Sequence, residues 1–127
     1  MSVILDTSVL IAATTLDPGE DYAVSAASIA ELHFGVLKAA GSPAQALRLR
    51  RLAEIENAFD VIPMDVTVAR AYAECAAAVH ATGRNPRARV FDLVIAATAR
   101  TVGATVLTHN LRDFDGLEGL VTVELAR

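Results

Sequence analysis

Short β-like runs alternate with longer helix-like stretches along this chain, and that alternation leaves few folds open. Ser2–Asp6 reads as a fully buried strand, and Ser8–Thr14 as a short helix after a tight turn. Leu16–Asp21, with Pro18 and Gly19, is a loop. Tyr22–Ala26 is a second strand, and Ser28–Ala40 a helix closed by Gly41. Pro43–Ala58 is an amphipathic helix whose apolar residues are Leu47, Leu49, Leu52 and Ile55. After a third strand at Phe59–Met64, Asp65 is placed to cap the helix Val66–Thr82, its side chain accepting from first-turn amides. A basic loop, Gly83–Arg89, leads into a strongly apolar helix, Val90–Val102, that ends at Gly103. Ala104–His109 and Leu120–Leu125 read as the fourth and fifth strands. The expected fold is therefore α/β, with a mainly parallel central sheet of four to five strands and helices on both faces. No repeat, low-complexity tract or long linker divides the 127 residues, so one domain over residues 1–127 is expected. Parallel sheets of this kind carry their sites at the carboxyl ends of the strands.

Composition narrows the function. The net charge is −4 and Lys38 is the only lysine, so binding nucleic acid by basic residues alone is disfavoured. A nucleic-acid ligand would need positive charge from elsewhere, and bound metal could supply it. Trp is absent and aromatics are 5%, which argues against a large base-stacking platform. The one cysteine, Cys75 in AYAECAAAV, reads as helix core and suits a reducing cytosol. Met1–Asp6 is too short and lacks the basic start of a secretory leader, and apolar runs are broken by charge before about 18 residues. A cytoplasmic protein with no membrane span is expected.

The informative residues are acids in apolar settings. Asp6 ends the run VILD, Glu31 is the only acid between Tyr22 and Ala53, and Asp92 the only one between Cys75 and Arg112. A buried, unpaired carboxylate is costly, so it is normally paired, protonated or bound to metal. Each acid has a local explanation. Asp6 could bond amides in the strand-to-helix turn. Glu31 fits a capping box, Ser28-x-x-Glu31. Asp92 could cap its helix or pair with Arg87 or Arg89. Jointly they say more. Asp6 lies at the end of strand one, Glu31 in the first turn after strand two, and Asp92 at the start of the helix leading into strand four. Asp113, just past strand four in THNLRDF, reaches the same edge. Independent capping does not ask for four acids on one rim.

Such a cluster suits metal-assisted phosphodiester hydrolysis. Magnesium and manganese prefer hard oxygen ligands, and magnesium typically takes one or two carboxylates plus substrate phosphates. One or two ions would also overcome repulsion between the acids and the phosphate backbone. Ser8 and Thr108 are polar at the same rim and could bond a carboxylate or a metal water; Thr7 is a weaker candidate. Asn110 either orients Asp113 or makes a turn. His33, His80 and His109 show no ligand spacing, and no Ser-His-Asp order, P-loop or dinucleotide loop is present.

ILDTSVLIA at the start, SIAELHFGV near residue 30, FDLVIAATA near residue 92 and LTHNLRDF near residue 110 resemble the PIN-domain nucleases, and more narrowly the VapC-type toxins of bacterial toxin–antitoxin pairs. The resemblance spans the chain in order. It implies a PIN-like α/β/α sandwich, one or two Mg2+ or Mn2+ ions per site, and cleavage of single-stranded or loop RNA. It also implies a homodimer and a VapB-type antitoxin that blocks the site. The family's acids fall on Asp6, Glu31, Asp92 and Asp113, as catalytic and metal-holding residues. Asp113 is preferred to Asp115 because the family's last acid directly precedes a Phe, as in RDF. Ser8 and Thr108 match supporting polar positions. Arg84, Arg87 and Arg89 form the best arginine cluster for RNA contact, against the simpler reading of a solvated loop. Other readings are a housekeeping PIN-fold nuclease in RNA processing, or a weakly catalytic binding module of the same fold. A phosphoreceiver would want paired acids after strand one and a late lysine. A phosphatase of the aspartyl type would want an acid at Ser8.

Overall fold

The computed structural model describes residues 2–12 and 14–127. The strands are β1 (Ser2–Leu5), β2 (Asp21–Ser25), β3 (Asp60–Ile62), β4 (Thr105–Thr108) and β5 (Thr122–Leu125). They form one sheet in the order β3-β2-β1-β4-β5, with every neighbouring pair parallel. The helices are α1 (Thr7–Ile11), α2 (Ala26–Lys38), α3 (Ala44–Ala58), α4 (Val66–Ala81) and α5 (Val90–Val102). The expected α/β architecture is what the chain adopts. None of the helices of the described residues is long and apolar enough to cross a membrane.

The strand alternation assigns the two faces. Successive strand residues point to opposite sides. Ile4, Ala23 and Val106 therefore face α4 and α5, whereas Leu5 and Val24 face α1 and α3. The α4/α5 side is alanine-rich: Ala71 of α4 and Ala96, Ala97 and Ala99 of α5 are all buried. Alanine favours helix and lets helices approach the sheet closely. α5 has the bounds expected from the sequence and ends on Gly103, whose φ of 69° is left-handed, while Ala104 N reaches back to Ala99 O at 2.8 Å.

Three local expectations change. The helix expected over Ser8–Thr14 is the shorter α1, Thr7–Ile11, and of the remainder Ala13 lies outside the described residues. α2 starts at Ala26 rather than Ser28: Ser25 is the cap, its Oγ accepting from Ala27 N at 3.0 Å. The capping box Ser28-x-x-Glu31 therefore does not form, and Glu31 stands in the second turn. The basic loop contains a 3₁₀ turn, Pro86–Arg89, capped by Asn85. Asp65 caps α4 as expected, accepting from Val68 N at 2.9 Å.

The strand order reverses between β1 and β4. From β1 the chain builds outward through β2 and β3, then returns to place β4 on the other side of β1. The carboxyl ends of β1 and β4 therefore flank the crevice where sheets of this class bind their ligands.

Candidate active site

Asp6 follows β1 directly at that crevice. Its backbone N donates to Leu107 O of β4 at 2.9 Å, and its carbonyl accepts from Val9 N and starts α1. Its side chain makes no capping bond, so the amide-capping explanation of this acid fails. Instead the carboxylate, only 4% exposed, accepts at Oδ2 from Ser8 Oγ (2.7 Å) and Thr108 Oγ1 (2.8 Å). Each hydroxyl is itself oriented by a backbone amide: His109 N donates to Ser8 Oγ at 3.0 Å, and Asn110 N to Thr108 Oγ1 at 2.9 Å. With its acceptor side occupied, each hydroxyl turns its proton to Asp6. Asn110 thus contributes through its backbone, its carbonyl also accepting from Asp113 N at 3.1 Å.

Glu31 is set by α1 as much as by α2. Thr7 Oγ1 donates to Glu31 Oε1 at 2.8 Å and lies 2.9 Å from the Oγ of buried Ser28. Sequence reasoning gave Thr7 a lesser place and made Ser28 a cap. The geometry makes the pair the mount of Glu31, a link across residues 7 and 31 that no local spacing discloses. Asp92 lies in the first turn of α5 and makes no cap there. α5 runs back against the strand direction, which puts its start at the carboxyl edge. Asp113 sits in a 3₁₀ turn, Leu111–Phe114, just past β4.

Electrostatics tie these four side chains into one site. Burial, followed by the Asp113, Asp6 and Glu31 carboxylates, pushes Asp92 up from the ordinary 3.8 to about 7, against a smaller opposing pull from Arg89. Burial also raises Glu31; the Thr7 hydrogen bond opposes this, and the charges of Asp6 and Asp113 add to it. Ion pairs among the described residues are Arg84–Asp115 at 3.4 Å and Arg100–Glu74 at 3.1 Å, so no salt bridge neutralises any of the four. Asp115, the rival for the fourth position, is the acid that is paired away from the cluster.

As the side chains stand, no group of three His, Cys, Asp or Glu among the described residues converges tightly enough to grip a metal ion. Magnesium needs only one or two direct carboxylates, with water completing its shell. The donor set is all hard oxygen, uncompensated and mutually repelling, so these residues fit a divalent cation.

Of the candidate RNA-contacting arginines, two are already engaged. Arg84 pairs with Asp115, and Arg89 donates to Asp115 O (3.1 Å) and Arg112 O (2.8 Å). Arg87 is exposed. Two clefts adjoin Glu31. One, of about 510 Å3, is lined by Ile11, Glu31, Leu32, Gly35, Leu47, Arg48 and Arg51. The other, of about 400 Å3, lies among Ala30, Glu31, Phe34 and Phe91.

The PIN domain family model matches residues 3–120. The chain is 36% identical to Ribonuclease VapC5 of Mycobacterium tuberculosis (strain ATCC 25618 / H37Rv), over 98% of this chain and 93% of that protein. It is 35% identical to Ribonuclease VapC4 of the same strain, over 83% of each. The crystal structure of VapBC-5, a member of the VapBC family of toxin–antitoxin systems from Mycobacterium tuberculosis, superposes with a TM-score of 0.81 at 35% identity, covering 99% of this chain and 98% of that one.

Proposed function

This chain belongs to the PIN-domain family, and on that premise we propose that it is a divalent-metal-dependent endoribonuclease, the toxin of a VapBC-type pair. The reading is supported by relatives named as ribonucleases and by a structural relative from a toxin–antitoxin complex. The observation that carries it is Asp6: a carboxylate 4% exposed, clamped by two hydroxyls beside three further acids that no salt bridge neutralises. A housekeeping nuclease of this fold is the second reading, and the extent of the likeness to the VapC relatives favours the first.

Asp6, Asp92 and Asp113, with Glu31, would hold one or two Mg2+ or Mn2+ ions. When bound, such a cation supplies charge neutralisation and Lewis-acid polarisation for phosphodiester hydrolysis. The remaining work falls to the chain. Ser8 and Thr108 fix the Asp6 carboxylate in place, which preorganises the site. Glu31, held through Oε1 by Thr7 and with its proton affinity raised by burial, is suited to receive the proton of the attacking water. Arg87 is the arginine best placed to meet the RNA backbone, since it is exposed while Arg84 pairs with Asp115 and Arg89 bonds carbonyls of the 112–115 turn.

The partner proposed is a VapB-type antitoxin covering the site. The cleft between α1, α2 and α3 supports this, because it joins exposed Ile11 and Leu47 to Glu31 and carries Arg48 and Arg51. Leu49, Val66 and Phe91 remain as exposed apolar surface that a homodimer would cover in part. We take residues 1–127 to act as one nuclease domain in the cytoplasm.

The test is incubation of the purified chain with a mixed set of single-stranded and stem–loop RNAs, in Mg2+, Mn2+ or EDTA. Cutting in either metal and none in EDTA is expected. An absence of both cutting and metal binding would leave a binding module of the same fold.

A further inference from the structure

We propose that Arg89 is a positioning residue, whose guanidinium fixes the turn carrying Asp113 against the start of the helix carrying Asp92. This rests on the nuclease reading for its consequence, although the clamp itself can be tested without it. Arg89 is the cap residue of α5, three positions before Asp92. Its Nη2 donates to Arg112 O at 2.8 Å and its Nη1 to Asp115 O at 3.1 Å. Those carbonyls flank Asp113 on either side. One planar fork therefore spans the turn, a geometry that a guanidinium can make and an ammonium cannot.

The turn needs such a fixture. It is a 3₁₀ turn of four residues, Leu111–Phe114, held internally by Asp113 N to Asn110 O at 3.1 Å and Asp115 N to Arg112 O at 3.2 Å. Gly116 follows with φ of 92°, a left-handed conformation that turns the chain toward Val79 and Thr82. Asp113 carries its charge toward the Asp92 and Glu31 carboxylates, while buried Phe114 and Leu117 anchor the turn only from its far end. The Arg84–Asp115 pair is solvent-exposed and contributes little. Arg89 thus sets the separation of two acids that belong to different elements, and two of its five N–H donors point at carbonyls of the turn.

Parent, Arg89→Ala, Arg89→Lys and Arg87→Ala are compared by amide hydrogen exchange, Mn2+ calorimetry and steady-state RNA cleavage. Loss of a charge-assisted pair should speed exchange of the 113, 115 and 117 amides by about 10- to 100-fold in both Arg89 variants, with α5 amides unchanged. Mn2+ affinity and kcat should fall by about 10- to 100-fold while KM stays within about twofold. Lysine keeps a charge beside Asp92 without the fork, so its deficit isolates the clamp from the charge. Arg87→Ala should raise KM and leave exchange alone. Unchanged exchange with a raised KM in Arg89→Ala would make Arg89 an RNA contact and overturn the proposal. Full recovery of exchange and Mn2+ affinity in Arg89→Lys would overturn it in favour of a charge effect. If the parent cuts no RNA, the nuclease reading fails on its own, and the exchange arm still decides whether Arg89 clamps the turn.

Discussion

Replacing Asp92 by Asn should stabilise the metal-free protein, and the gain should depend on pH in a defined way. In the fold Asp92 titrates at about 7 instead of 3.8. Between those values the folded protein holds a proton that the unfolded chain has released, so stability falls as pH rises through about 4 to 7 and levels off above it. Transmitted in full, such a difference is worth about 4 kcal/mol at about 1.4 kcal/mol per pH unit. The carboxyl is only partly buried, and solvent screening reduces this to about 1–2 kcal/mol. Asn keeps the shape and removes the charge. Urea denaturation in EDTA at half-unit pH steps should give equal stabilities near pH 4 and a growing advantage for Asp92→Asn up to pH 7. At neutral pH that corresponds to a Tm higher by about 5 °C, at about 3–5 °C per kcal/mol for a chain of this size. Added Mg2+ should reverse the order, because only the parent gains a strong ligand for its clustered charge. A variant less stable than the parent at pH 7, or an advantage that shrinks with pH, would refute the argument and make Asp92 a structural residue.

Other substitutions separate clamp, cap and bystander. Thr108→Val strips one donor from the buried Asp6 carboxylate and should cost about 1–3 kcal/mol by denaturation together with most of the cleavage activity. Thr7→Val should leave KM unchanged, lower kcat by about tenfold and move the acid limb of the pH–rate profile upward, because the hydrogen bond holding Glu31 down is gone. Asp115→Asn should keep full activity and lose at most about 1 kcal/mol, as it breaks only an exposed pair with Arg84. Asp65→Ala should lose about 1 kcal/mol as a helix cap, seen in the melting curve and not in turnover.

Much of this was readable in the sequence where the signal is periodic or local. The bounds of α5 follow from a strongly apolar stretch closed by glycine, and the Asp65 cap from one side chain and the amides beside it. The convergence of Asp6, Glu31, Asp92 and Asp113 was readable because a parallel sheet fixes where strand ends meet. What stayed hidden depends on contacts across the fold. The capping box in the sequence points to Ser28, whereas the cap is Ser25. Ser25 takes the role because β2 extends through it, and Ser28 then turns inward beside Thr7. The arginines 84, 87 and 89 look alike in a row, yet only Arg89 bonds the backbone of the 112–115 turn, and only the turn's return to α5 tells them apart.

The central claim is that the four acids are one metal-holding site, and direct Mn2+ titration by calorimetry tests it best. The account predicts binding by the parent and by Asp115→Asn, with binding lost or weakened by at least about tenfold in Asp6→Asn, Asp92→Asn and Asp113→Asn. Parent-like affinity in the Asp6 and Asp92 variants, or loss confined to Asp115→Asn, would contradict it.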